Sequence, residues 1–326
     1  MRAKSVTAEE TIEKILAGDV RQAARLMRDL DDSRPQALEI MKRLYHSGGN
    51  SQVWGITGSP GVGKSTLTDA LLTRLRQQDK TVGVVAVDPT SPFTGGAILG
   101  DRVRMQRHAT DEGVFIRSLA TRGHFGGLTA STRGVVTVME AMGKDVILVE
   151  TVGVGQDEID VARMADTTVI ITVPGLGDEV QAIKAGILEA GDIFVVNKMD
   201  REGANNAINQ LESMLALERR GTRGQGWTPP VVPTCAVDGR GLDDLMKALA
   251  DHRRFLDTDN GRFLKLRRLE RARMELLDLI QTRVMEHLIA KLDSMNRLEE
   301  IAEDIAAGKS DPYSECDEVI AALLPQ

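Results

Sequence analysis

The feature that most restricts this chain is an eight-residue run, Gly58-Ser59-Pro60-Gly61-Val62-Gly63-Lys64-Ser65. It matches G-x-x-x-x-G-K-[ST] at every fixed position. A strand-like stretch, Val53–Thr57, precedes it, and Leu67, Leu71, Leu72 and Leu75 follow at helical spacing. Phosphates are large and highly charged, so the backbone must curl around them, and glycine permits that curl because it has no Cβ. Successive N–H groups then point inward, and the start of the next helix adds the positive end of its dipole. In such a loop Lys64 reaches the β- and γ-phosphates, and Ser65 places its hydroxyl on Mg²⁺.

The rest of the chain falls into three zones. Residues 1–50 are predicted to be a helical extension. Thr7 with Glu10 fits a capping box before Ile12, Ile15 and Leu16. Gly18-Asp19 breaks the pattern, a second stripe follows, and Ser33 with Gln36 is the expected cap of a third helix. Residues 51–256 alternate apolar runs with amphipathic stretches. The predicted strands are Val53–Thr57, Thr81–Val87, Val114–Ser118, Val146–Glu150, Thr168–Val173, Ile193–Asn197 and Val231–Pro233. Their Val and Ile content suits strands buried on both faces. Strand–helix alternation implies an α/β domain with a largely parallel sheet and ligands at the carboxyl ends of the strands. Residues 257–326 are helical again. Leu266, Leu269, Arg273, Leu276, Ile280, Val284, Leu288 and Leu292 recur at steps of three and four, which suits an arm that packs against a second subunit or folds back on its own domain.

Asn197-Lys198-Met199-Asp200 follows the apolar run Ile193–Val196. Guanine presents two adjacent donors, N1–H and the 2-amino group, and one carboxylate accepts both. Adenine has no such pair, so Asp200 in this place discriminates, because a buried carboxylate facing the wrong base is costly. Lys198 can lay its stem across the ring, and Asn197 can tie loops together. Thr234-Cys235-Ala236-Val237 follows another predicted strand. It suits a loop in which the Ala236 N–H meets the guanine O6, with Cys235 as a small buried apolar group.

Acids at strand ends beside phosphates can hold Mg²⁺ directly or through water. Asp88 and Glu150 both end apolar runs, and Asp101 follows a glycine-rich stretch. Glu150-Thr151-Val152-Gly153 stands where many GTP-hydrolysing proteins have D-x-x-G, which makes the Gly153 N–H the natural sensor of the γ-phosphate. Glycine-rich segments at 121–127, 153–157 and 174–179 suit loops that a γ-phosphate orders and its loss releases.

Composition removes other classes. The net charge is −7 and aromatics are 3% of the 326 residues, so neither a phosphate-backbone footprint nor a base-stacking platform is expected. Two distant cysteines, Cys235 and Cys316, have no zinc-ligand spacing and suit a reducing, cytoplasmic setting. No apolar run approaches a membrane span.

Four segments occur in order: G-S-P-G-V-G-K-S-T through Thr66, V-D-P-T-S-P-F-T-G-G-A-I-L-G-D-R-V-R-M, E-T-V-G-V-G-Q, and N-K-M-D. Together they resemble the methylmalonyl-CoA mutase-associated GTPases, the MeaB/ArgK family, over nearly the whole chain. The resemblance implies a homodimeric, GTP-hydrolysing chaperone that binds an adenosylcobalamin-dependent acyl-CoA mutase, gates cofactor loading and protects the mutase. It implies Mg²⁺ held among Ser65, Asp88, Asp101 and Glu150, catalytic roles for Lys64, Glu150 and Gly153, and a partner-coupling loop carrying Gln181 and Lys184. The alternatives are a kinase of a basic amino-acid transport system and a nickel-delivery GTPase. The latter needs Cys or His ligands near the nucleotide, and His108 and His124 stand alone there.

Overall fold

The computed structural model describes residues 7–32, 34–49, 51–88, 105–120, 130–151, 157–175, 185–221 and 226–323. Two compact units emerge, Met1–Arg271 and Ala272–Gln326.

All seven expected strands form. They are β1 (Gln52–Thr57), β2 (Val82–Asp88), β3 (Val114–Ala120), β4 (Val146–Glu150), β5 (Thr167–Thr172), β6 (Ile193–Val196) and β7 (Val231–Pro233). They make one sheet in the order β3-β2-β4-β1-β5-β6-β7, and every pairing is parallel. β4 and β5 are buried along their whole length, which is why their sequences do not alternate. The order reverses around β1, so loops after β1 and β4 open onto the crevice where ligands of such sheets bind.

Helices cover both faces. One apolar layer holds Leu67, Leu71 and Leu75 of α4 (Lys64–Gln77) against Ile56, Val84 and Leu148. The other includes the N-terminal extension: Ile15 of α1 (Ala8–Leu16), Leu26 and Met27 of α2 (Val20–Asp31) and Leu44 of α3 (Pro35–Leu44). They join Val135 and Met139 of α5 (Ala130–Ala141), over Val53, Val85 and Ile147. The extension thus completes the core of the first unit. The capping box at α1 is present, with Thr7 Oγ1 accepting from the Glu10 N–H and Glu10 Oε2 from the Thr7 N–H, both at 3.2 Å. The third helix starts differently from expectation. Arg34 is the N-cap and Pro35 the first helical residue, a place where proline's missing N–H costs nothing. Ser33 lies outside the described residues.

α6 (Asp157–Met164), α7 (Ala185–Ala190) and α8 (Ala204–Gly221) follow β4, β5 and β6. Val161 of α6 comes so close to β1 that a Cβ on Gly55 would lie 2.7 Å from its Cγ1.

At the amino edge of the sheet, three aspartates each stand one residue before a strand and bond a backbone N–H of the neighbouring strand region. Asp145 Oδ2 accepts from Thr81 N at 2.8 Å, Asp166 Oδ2 from Val53 N at 3.0 Å and Asp192 Oδ2 from Thr168 N at 2.8 Å. Asp192 also anchors α9 (Leu242–Ser294). Arg267 Nη1 donates to Asp192 Oδ2 at 2.8 Å and to the Asp166 carbonyl at 3.0 Å, and its Nη2 pairs with Asp192 Oδ1. His252 is fully buried, with Nε2 3.3 Å from Asp192 Oδ1 and Nδ1 2.9 Å from Thr167 Oγ1. Burial pushes the Asp192 carboxyl up, but His252 and Arg267 more than offset it and hold it below its ordinary range.

α9 is broken at Thr258, Asp259, Asn260 and Gly261, the last three in the left-handed region. In the second unit, Leu276, Ile280 and Val284 are exposed in the single chain. α10 (Arg297–Ala306) and α11 (Pro312–Leu323) end the described chain. No helix among the described residues is long and apolar enough to cross a membrane.

Candidate nucleotide site

The glycine-rich loop lies where the sequence put it, between β1 and α4. Gly58 has φ +144°, and a Cβ there would sit 2.2 Å from the Ile171 carbonyl oxygen. Gly63, at φ +95°, would place a Cβ 2.6 Å from Asn197 Nδ2. These two glycines let the loop bend back onto β5 and onto the loop after β6.

Lys64 is the first residue of α4 and is 7% exposed. Its ammonium donates to the carbonyls of Gly58 at 2.7 Å and Ser59 at 3.0 Å. A cation is therefore held inside the loop, where the negative charge of a nucleotide's phosphates would be met.

Ser65 Oγ donates to Glu150 Oε1 at 2.6 Å. Glu150 is 2% exposed, at the end of β4 and opposite Ile56 of β1. Below them the hydroxyls of Thr57 and Thr151 are 3.0 Å apart, and the Thr151 N–H donates to the Ile56 carbonyl at 3.2 Å. These contacts fix the strand ends that carry Ser65 and Glu150. A hydroxyl and a carboxylate are hard oxygen donors, which fits Mg²⁺, an ion that uses few protein ligands beside phosphate and water. Among the described residues no three His, Cys, Asp or Glu side chains converge as a metal cluster. The Asp88 backbone ends β2, two residues beyond Ala86, the partner of Glu150. Its side chain, with Asp101, Gly153, Gln181 and Lys184, lies outside the described residues.

The second half of the site is a set of knotted loops. Asn197 is buried and joins three segments. Its Nδ2 donates to the Val62 carbonyl at 2.8 Å, and its Oδ1 accepts from Thr234 Oγ1 and the Ala236 N–H, both at 3.1 Å. Lys198, at φ +57°, turns its ammonium to the Gly61 carbonyl at 2.7 Å. The Met199 N–H donates to the Thr234 carbonyl at 3.0 Å. Asp200 stands exposed at the mouth, with Cys235 Sγ 3.3 Å from its Oδ1. Val237, two residues after Cys235, is 86% exposed.

Ser59, Pro60, Gly61, Val62 and Thr66 occupy the loop and first turn as expected. The Ala236 N–H, expected to face a base oxygen, here donates to Asn197. Sequence reasoning missed the Thr57–Thr151 hydroxyl pair, the Thr234 bond to Asn197 and the Cys235 contact with Asp200. Each joins residues at least 35 apart in the chain, and no local pattern marks it.

Comparison with known proteins agrees with this fold. The family model described as Methylmalonyl Co-A mutase-associated GTPase MeaB matches residues 23–293. A protein of Pyrococcus abyssi named as a GTPase is 46% identical over 316 residues, 97% of both chains. GTPase ArgK of Escherichia coli is 37% identical over 294 residues, 88% of both. A mouse protein named Methylmalonic aciduria type A homolog, mitochondrial, is 33% identical over 270 residues, which are 82% of this chain and 65% of the mouse protein. Among solved structures, one described as LAO/AO transport system kinase superposes with a TM-score of 0.72 at 27% identity, covering 98% of both chains. With the phosphate loop and the guanine-type loop joined through Asn197, and with relatives of this similarity, the chain belongs to the MeaB family of P-loop GTPases.

Proposed function

We propose that this GTPase is a chaperone for an adenosylcobalamin-dependent acyl-CoA mutase, with methylmalonyl-CoA mutase as the expected partner. In this reading it gates cofactor loading and protects the mutase, and GTP hydrolysis times the cycle. The observation that carries the reading is the family match across residues 23–293. Similarity to the mouse methylmalonic aciduria type A homolog supports it. The working form is a homodimer joined through the arm after residue 257.

The chain's own residues divide the work. Gly58 to Thr66 wrap the phosphates, and Lys64, held at the loop carbonyls, neutralises charge on the β- and γ-phosphates as it grows in the transition state. Ser65, Glu150, Asp88 and Asp101 would hold Mg²⁺, which would supply positive charge against that of the phosphates. The Gly153 N–H senses the γ-phosphate, and the loop with Gln181 and Lys184 passes that state to the partner. Asp200 accepts the guanine N1–H and 2-amino protons, Lys198 covers the ring, and the loop of Cys235, Ala236 and Val237, tied to Asn197 by the Ala236 N–H, closes the base site. Water then attacks the γ-phosphorus as the bond to the β–γ bridging oxygen breaks, GDP leaves, the water's proton passes to the released phosphate, and positioning supplies most of the rate.

No glutamine directly follows Gly153, so turnover of the chain alone is slow and the partner accelerates it. The test is a pull-down with purified cobalamin mutases, with and without GTP, beside GTP hydrolysis measured with and without mutase. Binding that depends on nucleotide, with faster hydrolysis, is expected. Failure to bind any such mutase in either state sinks the chaperone role and leaves the GTPase intact.

A further inference from the structure

β1 and β4 run out together at the foot of the phosphate loop. Their last registered pair is Ile56 with Glu150. The next residue of each is a threonine, Thr57 and Thr151, and both are buried. Their hydroxyls are 3.0 Å apart and bond each other. The Thr151 N–H donates to the Ile56 carbonyl at 3.2 Å. The two threonines are held unequally. Thr57 is also paired with Ile170 of β5. β4, on its other side, has its last β2 partner at Glu150, opposite Ala86. Thr151 is therefore tied to β1, by one backbone bond and one hydroxyl.

Two segments leave from this pair. Gly58 opens the phosphate loop directly after Thr57, and its carbonyl accepts from the Lys64 ammonium at 2.7 Å. Gly153 comes two residues after Thr151. A γ-phosphate met from both segments needs them at one separation, and rate depends steeply on where such groups are placed. Threonine suits the task. Its β-branch restricts χ1 and so aims the hydroxyl, and threonines side by side on neighbouring strands bond in this way.

We propose that Thr57 and Thr151 are positioning residues for the γ-phosphate: their hydroxyl bond fixes the start of the Gly153 segment against the start of the phosphate loop. The inference rests on the Gly153 N–H being the γ-phosphate sensor. Losing the bond loosens the triphosphate complex and spares the diphosphate one, because GDP has no γ-phosphate to be sensed.

The experiment compares the full-length parent with Thr57→Val, Thr151→Val, the double valine variant and Thr151→Ser. Urea denaturation, single-turnover GTP hydrolysis, and affinity for GDP and for a non-hydrolysable GTP analogue are measured for each. Valine keeps the volume and removes the hydroxyl. Each single valine variant leaves one buried hydroxyl unpaired and should lose stability, and the double variant, with neither hydroxyl, should regain most of it. Hydrolysis is expected to fall by about threefold to tenfold in the single variants, the scale of one modest hydrogen bond. It should stay down in the double variant, because the bond is missing from all three. Affinity for the GTP analogue falls with it, and GDP affinity stays close to the parent's. Thr151→Ser keeps the hydroxyl and should hydrolyse GTP near the parent rate. Should a single valine variant fold poorly, the double variant carries the test. A merely structural pair gives a different pattern, with hydrolysis returning alongside stability in the double variant. That return, or GDP weakened as much as the analogue, or serine no better than valine, overturns the inference. Gly153→Pro, which has no N–H, separates it from the reading beneath. If Gly153→Pro keeps the parent's hydrolysis and analogue affinity, the sensor reading fails and the inference with it. If Gly153→Pro loses both while the double valine variant matches the parent, the role of the threonines alone fails.

Discussion

The two edges of the sheet use charge in different ways. At the carboxyl edge, Lys64 donates to Gly58 and Ser59 carbonyls and Lys198 to the Gly61 carbonyl. These are bonds between a full charge and a dipole, so much of each cation's field remains for an incoming anion. At the amino edge, Asp192 meets Arg267 and His252, and Arg76 meets Asp111 at 2.8 Å. Asp145 and Asp166 are spent on backbone N–H groups of neighbouring strands. Charge is closed on itself there. One edge is built to receive a ligand, and the other holds the strands and the base of α9 in register.

The largest separation between the edges is expected from Lys64→Ala. Removing the cation should lower single-turnover GTP hydrolysis by about a hundredfold or more, the scale of losing one transition-state donor. Thermal stability should stay close to that of the parent, because the lost bonds tie the cation to carbonyls of its own loop and join no two elements of the core. Hydrolysis within a few-fold of the parent would show that the carboxyl edge does not work through this charge.

Arg267→Met tests the other edge with the opposite signature. It leaves the buried Asp192 carboxylate without its bidentate partner, and breaking a pair of this kind costs about 3–5 kcal/mol. Urea denaturation should show the loss, while the folded variant keeps nucleotide affinity. The effect has a pH signature. The folded Asp192 carboxyl titrates below its unfolded value of about 3.9. Its stabilisation is therefore fully present above that value and is lost as pH falls through the folded one. Asp192→Asn should flatten the acid limb of stability in that window, and an unchanged limb would remove the pair from the account.

The edges also differed in how far the sequence disclosed them. The carboxyl edge is local: Gly58 to Ser65 and Asn197 to Asp200 are short runs with fixed spacing, so both loops could be placed from residue types alone. The amino edge carries a pattern too, an aspartate directly before β4, β5 and β6. Its meaning depends on pairings 24 to 113 residues apart, and only strand order brings those together. The same holds for Cys235, whose small apolar volume fits burial, while its bond to Asp200 needs two loops in contact. At α3, Pro35 outweighs the expected Ser33–Gln36 cap because its fixed φ already suits the first helical position. The break at Thr258–Gly261 interrupts a stripe that reads as helical on either side, and its Asp-Asn-Gly run was the available signal.

Gly63→Ala probes the join between the phosphate loop and the base loop, and its effect should be smaller. The new Cβ would press on Asn197 Nδ2 in a backbone conformation that alanine resists. Asn197 then has to move, and with it the Thr234 and Ala236 contacts. Nucleotide affinity is expected to fall by roughly tenfold, the scale of 1–2 kcal/mol of local strain, with global stability changed little. Equal loss of stability and affinity would mean that the loops fold as one unit with the core.

The smallest effect belongs to a residue between the edges. His108 is nearly buried against α4, with Nε2 3.1 Å from Asp69 Oδ1 and 3.5 Å from Thr73 Oγ1. Asp69, Arg107 and Asp111 are the charged groups around it. Burial lowers its pKa, and the attraction of Asp69 only partly offsets that. The fold therefore favours the neutral ring. Its contribution is complete above the unfolded value of about 6.5 and is lost as pH falls through the lower folded value. Thermal melts between pH 7.5 and 5.5 should show stability declining with acid, by less than either edge variant costs. His108→Gln, which cannot take up the proton, should reduce that slope. A parent that gains stability on acidification would show that Asp69 outweighs burial. The site would then behave as a closed ion pair like those of the amino edge.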